Sequence, residues 1–384
     1  MAKTKSTHVE EVVDKVQKVD RDELAVLIVD AFNKSQKDGS KVAYFLDEQE
    51  DPSNVTDWIS TGSSLLDLAI SNRKDGGLPV GRICELNGLE GTGKSLIAAH
   101  ILSSTQKKGG LGIMIDTENA AAPAFWTAVG VSIKDLVYSN LVTVEEIFSK
   151  IEQAIGVARK NFPDRLVTII VDSLAMASCE SEMESEHGTK GYNTQKAIII
   201  SMALRKITGL IGRQRILVVF TNQLRMNMNA GPFGDKWVVP GGKAMGFAAS
   251  VRVRLSSTGN IKKSGKVIGN ECKSIVTKNR MGPPKRLAEF EIHFDSGIQN
   301  LKSWIDFLVT AGFATKSGQK YLIKKLPSGN ITLTASEFVE KINTDPVFKE
   351  EVYTVIADEY IMKYRDPDSA IIEDIEVDDN AEED

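Results

Sequence analysis

The chain has 384 residues, of which 42% are hydrophobic and 26% are charged. This composition is typical of a globular protein with room for more than one domain, and it excludes disorder along the whole chain. No window approaches the roughly 18 unbroken apolar residues that a membrane span needs, and residues 1–6 open no apolar signal core. We therefore expect a cytoplasmic protein with no membrane partner.

The cysteines and the charge distribution narrow the class further. Cys84, Cys179 and Cys272 lie far apart, with no CxxC pair and no histidine at zinc-site spacing, so we expect reduced packing residues. Residues 366–384 hold ten acidic side chains and no Lys or Arg, and removing them from the net charge of −5 leaves +5. A mildly basic body with an acidic tail is often found where a protein moderates its own attraction to a polyanion. The alternative is a tail that only increases solubility.

The predicted elements begin with one helix near the amino end. An apolar period over residues 24–32 predicts this helix, and the polar stretch 34–40 ends it. After residues 51–54, short β-branched or apolar runs alternate with helical stretches. This alternation is the βαβ pattern of a parallel sheet and predicts an α/β fold.

Four runs are predicted to be strands of this sheet: residues 82–86, 112–115, 166–171 and 216–220. Only the third and fourth are apolar enough to be predicted as central strands buried on both faces. Each run is followed by polar residues of chemical interest. Open parallel sheets bind ligands at the carboxyl ends of their strands, so we expect these residues to converge on one site.

Beyond residue 297 the pattern indicates a smaller region. Helices are predicted near residues 301–308 and 335–342, with a hairpin between them near residues 321–334. We expect four parts in the chain: residues 1–53, 54–297, 298–365 and the acidic tail 366–384.

The first strand is followed by a phosphate-binding motif. The motif G-x-x-x-x-G-K-[ST] is matched in full by Gly88, Leu89, Glu90, Gly91, Thr92, Gly93, Lys94 and Ser95. Its glycines allow backbone N–H groups to turn toward a polyphosphate, and the helix that follows adds its positive end. Lys94 is expected to neutralise the ATP phosphates and Ser95 to bind Mg²⁺. Because a strand precedes the motif and a helical run follows it, nucleotide binding is favoured over a glycine-rich turn.

The other strand ends offer further candidate residues. Asp172 is a candidate second ligand of Mg²⁺, although an Asp after a strand is often a helix cap. Glu118 is a candidate general base for water, with a solvated loop acid as the alternative. Gln223 is a candidate γ-phosphate sensor, and its alternative role is to cap backbone groups at the sheet end.

Two long segments are candidates for contact with nucleic acid. Residues 225–242 show no helix or strand period and combine basic, aromatic and glycine residues: Arg225, Met226, Lys236, Trp237, Gly241 and Gly242. This mixture suits single-stranded nucleic acid through phosphate contacts and stacking. Residues 180–194 begin acidic and then carry Lys190, and their charge alone indicates only a surface loop.

A separate cation pair has no assigned role from residue chemistry alone. Lys278 and Arg280 lie one residue apart, so on an extended strand both point to one face and could address one anion. The alternative is an exposed basic edge strand.

The chain resembles the RecA recombinases of bacteria and their phage relatives of the UvsX type. The resemblance rests on residues 59–67, 77–82, the phosphate loop, 115–118, 170–173, 221–226 and 241–244, in matching order and spacing over residues 55–300. It implies a RecA-like P-loop ATPase core with a mostly parallel central sheet, a small N-terminal helical segment and a small α+β C-terminal domain. It places the chain in the bacterial cytoplasm, or in the host cytoplasm if a phage encodes it.

The resemblance implies an ATP-dependent recombinase that polymerises on single-stranded DNA and exchanges strands with double-stranded DNA. Glu118 would be the catalytic glutamate, Asp172 the acid that binds Mg²⁺ and Gln223 the γ-phosphate sensor. Residues 180–194 and 225–242 would be the DNA-binding loops. Lys278 and Arg280 would reach the ATP of a neighbouring subunit, and Phe247 would lie at the subunit interface. The segment around residues 24–32 would dock on a neighbour, and the acidic tail would be autoinhibitory.

The chain also departs from the family pattern. Ala122 stands where the bacterial proteins commonly carry an acid near the adenine, Arg280 replaces a second lysine, and Trp237 replaces a threonine-rich stretch. Single-strand-binding and loader proteins are further candidate partners. Two other functions use the same core: a hexameric helicase, which would form closed rings, and an ATP-gated recombination mediator, which would not exchange strands.

Overall fold

A computed structural model describes residues 21–36, 41–46, 54–119, 123–183, 192–212, 214–226, 237–238 and 243–364. The chain divides into two compact units, Met1–Asn54 and Val55–Asp384. The first unit contains helix α1, Glu23–Lys34, which confirms the predicted amino-terminal helix. Asp22 caps it by accepting the Ala25 N–H at 2.9 Å. None of the residues of α1 is buried.

The second unit contains all the strands of the described residues. They are β1 Trp58–Ile59, β2 Leu78–Pro79, β3 Ile83–Gly88, β4 Leu111–Asp116, β5 Leu136–Asn140, β6 Val167–Asp172, β7 Ile216–Gln223, β8 Arg225–Met226, β9 Trp237–Val238, β10 Val251–Lys263, β11 Lys266–Asn279, β12 Leu287–His293, β13 Gly297–Ile298, β14 Ala314–Ser317, β15 Lys320–Ile323 and β16 Ile331–Thr334. The helices are α2 Ser64–Ser71, α3 Lys94–Lys107, α4 Pro123–Ala128, α5 Val144–Asn161, α6 Glu180–Met183, α7 Tyr192–Ile211, α8 Ala244–Ala248, α9 Asn300–Thr310, α10 Ala335–Thr344 and α11 Pro346–Tyr360, with a 3-10 turn at Ile133–Asp135. Among the described residues, no helix combines the length and apolarity of a membrane span.

A nine-stranded sheet organises this unit, in the order β13-β12-β11-β10-β3-β7-β6-β4-β5. The six strands from β10 to β5 pair in parallel, and β10 to β13 pair antiparallel. The predicted α/β fold with a mostly parallel central sheet is confirmed. One face packs residues of α2 and α3 such as Ile97 and Leu102, and the other packs residues of α5 and α7 such as Phe148 and Leu204.

The structure corrects two strand predictions. The prediction that only the third and fourth runs are buried central strands was wrong, because every residue of β3 is also buried, between β10 and β7. Polar Glu85 lowered the apparent apolarity of this strand, but Asn222 and Arg252 of the two neighbouring strands donate to its carboxylate. The edge strand considered for Lys278 and Arg280 is corrected in part: β11 as a whole lies between β10 and β12, and its register with β12 ends at Ile275, three residues before Lys278.

The region after residue 297 contains α9, the sheet β14-β15-β16, α10 and α11. Both predicted helices and the predicted hairpin are confirmed. Strand β14 and helix α11 were not predicted. The three cysteines are free and buried, as expected.

Candidate active site

The phosphate loop connects β3 to α3, and its backbone requires glycine at two positions. Gly91 and Gly93 adopt φ angles of +73° and +95°, a region that favours glycine. A Cβ on Gly88 would lie 2.6 Å from the Leu255 carbonyl oxygen. The loop therefore forms a backbone cradle that side chains at these positions would fill or distort.

Lys94 begins α3 and points back into this loop. Its Nζ donates to the carbonyl oxygens of Gly88 and Leu89, at 3.2 and 2.7 Å. Burial lowers the pKa of Lys94, and the negative charges of Asp172, Glu118 and Glu90 partly oppose that decrease. Residues from three strand ends therefore lie within electrostatic reach of one ammonium group.

Glu118 and Gln223 are in direct contact. The Ser173 hydroxyl donates to Glu118 Oε1 at 2.8 Å, and the Gln223 amide donates to the same oxygen at 3.4 Å. The Glu118 N–H donates to Asp116 Oδ1 at 2.9 Å, and Tyr138 donates to the other oxygen of Asp116 at 3.0 Å. The predicted base and the predicted sensor are therefore joined at the carboxyl ends of β4, β6 and β7.

The sequence did not reveal how these side chains are supported. Thr221 Oγ1 donates to Asp172 Oδ1 at 2.5 Å, and the Asn270 amide donates to the Gly91 carbonyl oxygen at 3.1 Å. Thr221 could have been suspected, because it is a polar residue inside an apolar strand two positions before Gln223. The Asn270 contact has no local signal, because it joins residues 179 positions apart.

The residues predicted to bind Mg²⁺ fit that ion. Ser95 is exposed in the first turn of α3, and Asp172 is nearly buried, with Thr221 orienting one carboxylate oxygen. Hydroxyl and carboxylate oxygens are hard donors, and Mg²⁺ commonly takes few protein ligands together with substrate phosphates. No cluster of three or more His, Cys, Asp or Glu that could bind a metal occurs within the described residues.

The segment 225–242 is not wholly irregular, which corrects its prediction. Its ends pair as an antiparallel ribbon, with Arg225 opposite Val238 and Met226 opposite Trp237. Met226 is 66% exposed. The residues between the two strands of this ribbon, including Lys236, lie outside the described residues, as do Gly241 and Gly242.

The segment 180–194 also has helical ends, in contrast to the predicted loop. Helix α6 covers Glu180–Met183, and α7 already begins at Tyr192. Lys190 and the departure at Ala122 lie outside the described residues. Burial lowers the pKa of Lys196 in α7, Glu182 opposes that decrease, and Arg225 adds to it. The bases of both predicted DNA loops are therefore close to each other.

Lys278 and Arg280 lie away from this cluster. Lys278 Nζ donates to the carbonyl oxygens of Gly246 and Phe247, at 2.7 and 3.1 Å, and Arg280 donates to that of Phe247 at 3.1 Å. Both cations thus address one carbonyl of α8, and Phe247 is 72% exposed. Their position follows from the register, because Lys278 pairs with Arg252 near the amino end of β3. Within one protomer, this cation pair is therefore separated from the phosphate loop.

Comparisons with known proteins agree with this architecture. The RecA N-terminal domain family model matches residues 27–299. The chain is 40% identical over 263 residues to Protein RecA of Allochromatium vinosum, which covers 68% of this chain and 73% of that protein. It is also 40% identical over 263 residues to Protein RecA of Thioalkalivibrio sulfidiphilus, which covers 68% of this chain and 74% of that protein. Protein RecA of Rhodospirillum rubrum is 35% identical over 298 residues, or 78% of each chain.

The family model covers more than half of the chain, and the matched residues contain the phosphate loop, Glu118, Asp172 and Gln223. The chain therefore belongs to the RecA family, the ATP-dependent recombinases of DNA recombination and repair.

Proposed function

We propose that this RecA family member polymerises on single-stranded DNA, hydrolyses ATP at the phosphate loop and exchanges strands with a homologous duplex. The observation that carries the proposal is the contact of Glu118 with both Ser173 and Gln223, beside Lys94. A base, an amide and a cation arranged around one phosphate cradle suit attack of water on the γ-phosphate.

In this mechanism Glu118 accepts a proton from water as the water oxygen attacks the γ-phosphorus. The bond from phosphorus to the ADP oxygen breaks, and Lys94 offsets the charge that develops on the phosphate oxygens. Ser173 holds one carboxylate oxygen of Glu118, which fixes the direction of the other. Mg²⁺ bound by Ser95 and Asp172 would supply further neutralisation of phosphate charge.

Gln223 offers a link from ATP to DNA. A γ-phosphate would compete with Glu118 for the Gln223 amide, because phosphate oxygens are strong charged acceptors. Gln223 is the last residue of β7, and Arg225 begins the ribbon of the DNA segment one residue later. A shift of Gln223 toward phosphate would thus move the base of that ribbon.

The remaining parts of the proposal concern assembly. Lys278 and Arg280 would complete the ATP site of a neighbouring protomer, a role supported by their contacts with α8 rather than with the phosphate loop of their own chain. Phe247, exposed on α8 beside both cations, would lie in the same interface. The exposed apolar face of α1 would dock on a neighbour.

The proposal is tested by measuring ATP hydrolysis with and without single-stranded DNA, for the native protein and for Glu118→Gln. A matched control is Glu152→Gln, the same chemical change on an acid of α5 that makes a surface ion pair with Lys206. We expect DNA to stimulate the native and control proteins, and Glu118→Gln to lose at least about a hundredfold in rate.

Electron microscopy of the same samples tests assembly, and a strand-exchange assay tests the final step. Open helical filaments and exchange of homologous strands are the expected results. Closed rings would instead indicate a helicase, and a lack of response to DNA would indicate a mediator.

A further inference from the structure

A buried polar cluster lies between the two ends of the sheet, outside the ATP site described above. Glu85 of β3 is completely buried and accepts three hydrogen bonds. Asn222 donates to its Oε1 at 2.6 Å, while Arg252 Nε and Asn87 donate to its Oε2 at 2.5 and 3.3 Å. Glu85 and Arg252 form the ion pair of the cluster, and the exposed fraction of the Arg252 side chain is only 23%.

One end of this cluster adjoins the ATP site. Asn222 immediately precedes Gln223 on β7, and it pairs with Asn87, one residue before the phosphate loop begins at Gly88. A movement of Asn222 would therefore also move the end of β7, which carries the proposed phosphate sensor Gln223.

The other end adjoins the cation pair. Arg252 is the cross-strand partner of Lys278, and its guanidinium lies 3.5 Å from the Cβ position of Gly246 in α8. Gly246 and Phe247 supply the carbonyl oxygens that accept from Lys278 and Arg280. Burial, Arg280 and then Arg252 lower the pKa of Lys278, so the charge of Arg252 is felt there. Arg252 thus lies beside α8, whose carbonyl oxygens accept from both cations, and pairs with the strand that carries Lys278.

The energetics do not favour a purely stabilising role for the cluster. A buried ion pair commonly gains little over well-packed apolar residues of the same volume, because both charges are desolvated. Among the described residues, the Oδ1 atoms of Asn87 and Asn222 are also buried without a hydrogen-bond partner. Buried polar groups that cost stability are typical of sites where they fix one arrangement of the surrounding strands among several.

We propose that Glu85 and Arg252 are positioning residues that hold Lys278 and Arg280, through α8, in register with the ATP site of the same protomer. The inference rests on the proposed function, in which those cations serve the ATP of the next protomer. A protomer with a broken Glu85–Arg252 pair would bind its own ATP but present the cations to its neighbour in the wrong place.

Mixed filaments of full-length protein test this proposal, because they separate a protomer's hydrolysis of its own ATP from the cations that it supplies to its neighbour. Native protein is mixed with an excess of a partner carrying Glu118→Gln, which cannot hydrolyse its own ATP but still lends its cations. The rate per native protomer is then compared with that in mixtures whose partner also carries Arg252→Gln. A partner with Lys278→Ala and Glu118→Gln reports complete loss of one lent cation.

We expect the partner with Arg252→Gln to lower the rate per native protomer toward the value given by the Lys278→Ala partner. With a fourfold excess of partner the loss can reach about fivefold, because only about one native protomer in five then has a native neighbour supplying cations. A merely structural role of Arg252 would leave the native protomers unaffected, since they carry no substitution. Thr277→Val with Glu118→Gln is the matched control, because the Thr277 hydroxyl donates to the backbone carbonyl of Arg252, at 3.3 Å, and not to its guanidinium. It should behave as Glu118→Gln alone.

Each other outcome overturns the proposal. If the Lys278→Ala partner lowers the rate and the Arg252→Gln partner does not, the positioning role fails while the proposed function stands. If neither lowers it, the lent cations themselves are wrong. Co-sedimentation of labelled partner with DNA confirms entry into filaments, and Glu85→Gln replaces Arg252→Gln if that variant does not enter. If neither enters, the pair determines folding and does not position the cations.

Discussion

The two left-handed glycines of the phosphate loop allow steric and conformational costs to be measured separately. Gly91 and Gly93 both have positive φ angles, but their surroundings differ. A Cβ on Gly91 would meet nothing within 4 Å, whereas a Cβ on Gly93 would lie 2.5 Å from Ile292 Cδ1. Alanine at Gly91 therefore reports the cost of the backbone conformation alone, and alanine at Gly93 reports that cost together with a clash.

The magnitudes follow from these environments. An L-residue in the left-handed region costs about 1–2 kcal/mol, which we expect as the loss in unfolding free energy for Gly91→Ala. Gly93→Ala should lose about 0.5–1.5 kcal/mol more, because its methyl group forces the end of the Ile292 side chain off its preferred rotamer. Replacing Ile292 by Val removes the clashing Cδ1 at an intrinsic cost of about 0.5–1.5 kcal/mol. In the double variant Gly93→Ala/Ile292→Val, the clash with Cδ1 should disappear, and the conformational cost should remain together with the intrinsic cost of Ile292→Val.

Urea unfolding of the native protein and the four variants measures these differences, and binding of a fluorescent ATP analogue measures the effect on the cradle. Each 1.4 kcal/mol of lost binding free energy corresponds to about a tenfold weaker affinity. The reasoning is refuted if Gly91→Ala and Gly93→Ala lose equal stability. It is also refuted if Ile292→Val gives no relief in the presence of Gly93→Ala.

Three further predictions concern other contacts. Ser173→Ala removes the donor that holds Glu118 at 2.8 Å, so we expect kcat to fall about tenfold with KM little changed, as steady-state kinetics would show. An unchanged kcat would contradict the orienting role of Ser173. Burial raises the pKa of Asp67 from 3.8 to about 6, against the effect of hydrogen bonds from Ser60 and Thr61. The folded state then binds more protons than the unfolded state between these values, so stability should fall by about 3 kcal/mol as pH rises through this window. Asp67→Asn should flatten that dependence in unfolding experiments at pH 4 to 7, and an unchanged slope would exclude Asp67 as its source. Arg225→Gln should reduce the salt dependence of single-stranded DNA binding by about one ion, whereas Met226→Ala should weaken binding without changing the slope. Identical slopes for both variants would contradict a phosphate contact by Arg225.

The ATP site could be predicted because each of its parts is local in sequence. The phosphate loop is eight consecutive residues, and Glu118, Asp172 and Gln223 each lie at or just beyond a strand end. Parallel strands bring their carboxyl ends to one edge, so recognising the strands was enough to predict convergence. The support around these residues was harder to predict. Thr221 is marked only as a polar residue inside an apolar strand, and the partners of Thr221 and Ser173 depend on pairings between strands that apolar periodicity does not encode.

The errors have a related physical cause. β3 was not recognised as a buried strand because Glu85 and Asn87 are polar, and only the strand order shows that Asn222 and Arg252 satisfy Glu85. The ribbon of Arg225 and Met226 with Trp237 and Val238 was missed because each of its strands has two residues, too few for a period. Whether Lys278 lies on an edge strand likewise depends on which strands flank β11, and the sequence does not show that order.

The position of the functional residues along the sheet has a consequence for assembly. The phosphate loop and Glu118 lie at the carboxyl ends of the parallel strands, whereas Lys278 is level with Glu85 of β3, about 10 Å short of Gly88 along the strand direction and two strands away from β3 in the sheet. A site that needs both must therefore join unlike surfaces of two protomers, which is a heterologous contact. Such contacts would repeat from one subunit to the next and would bury ATP between every adjacent pair. In the proposed assembly hydrolysis and polymerisation would then be coupled, because a lone protomer would lack the two cations that its neighbour supplies.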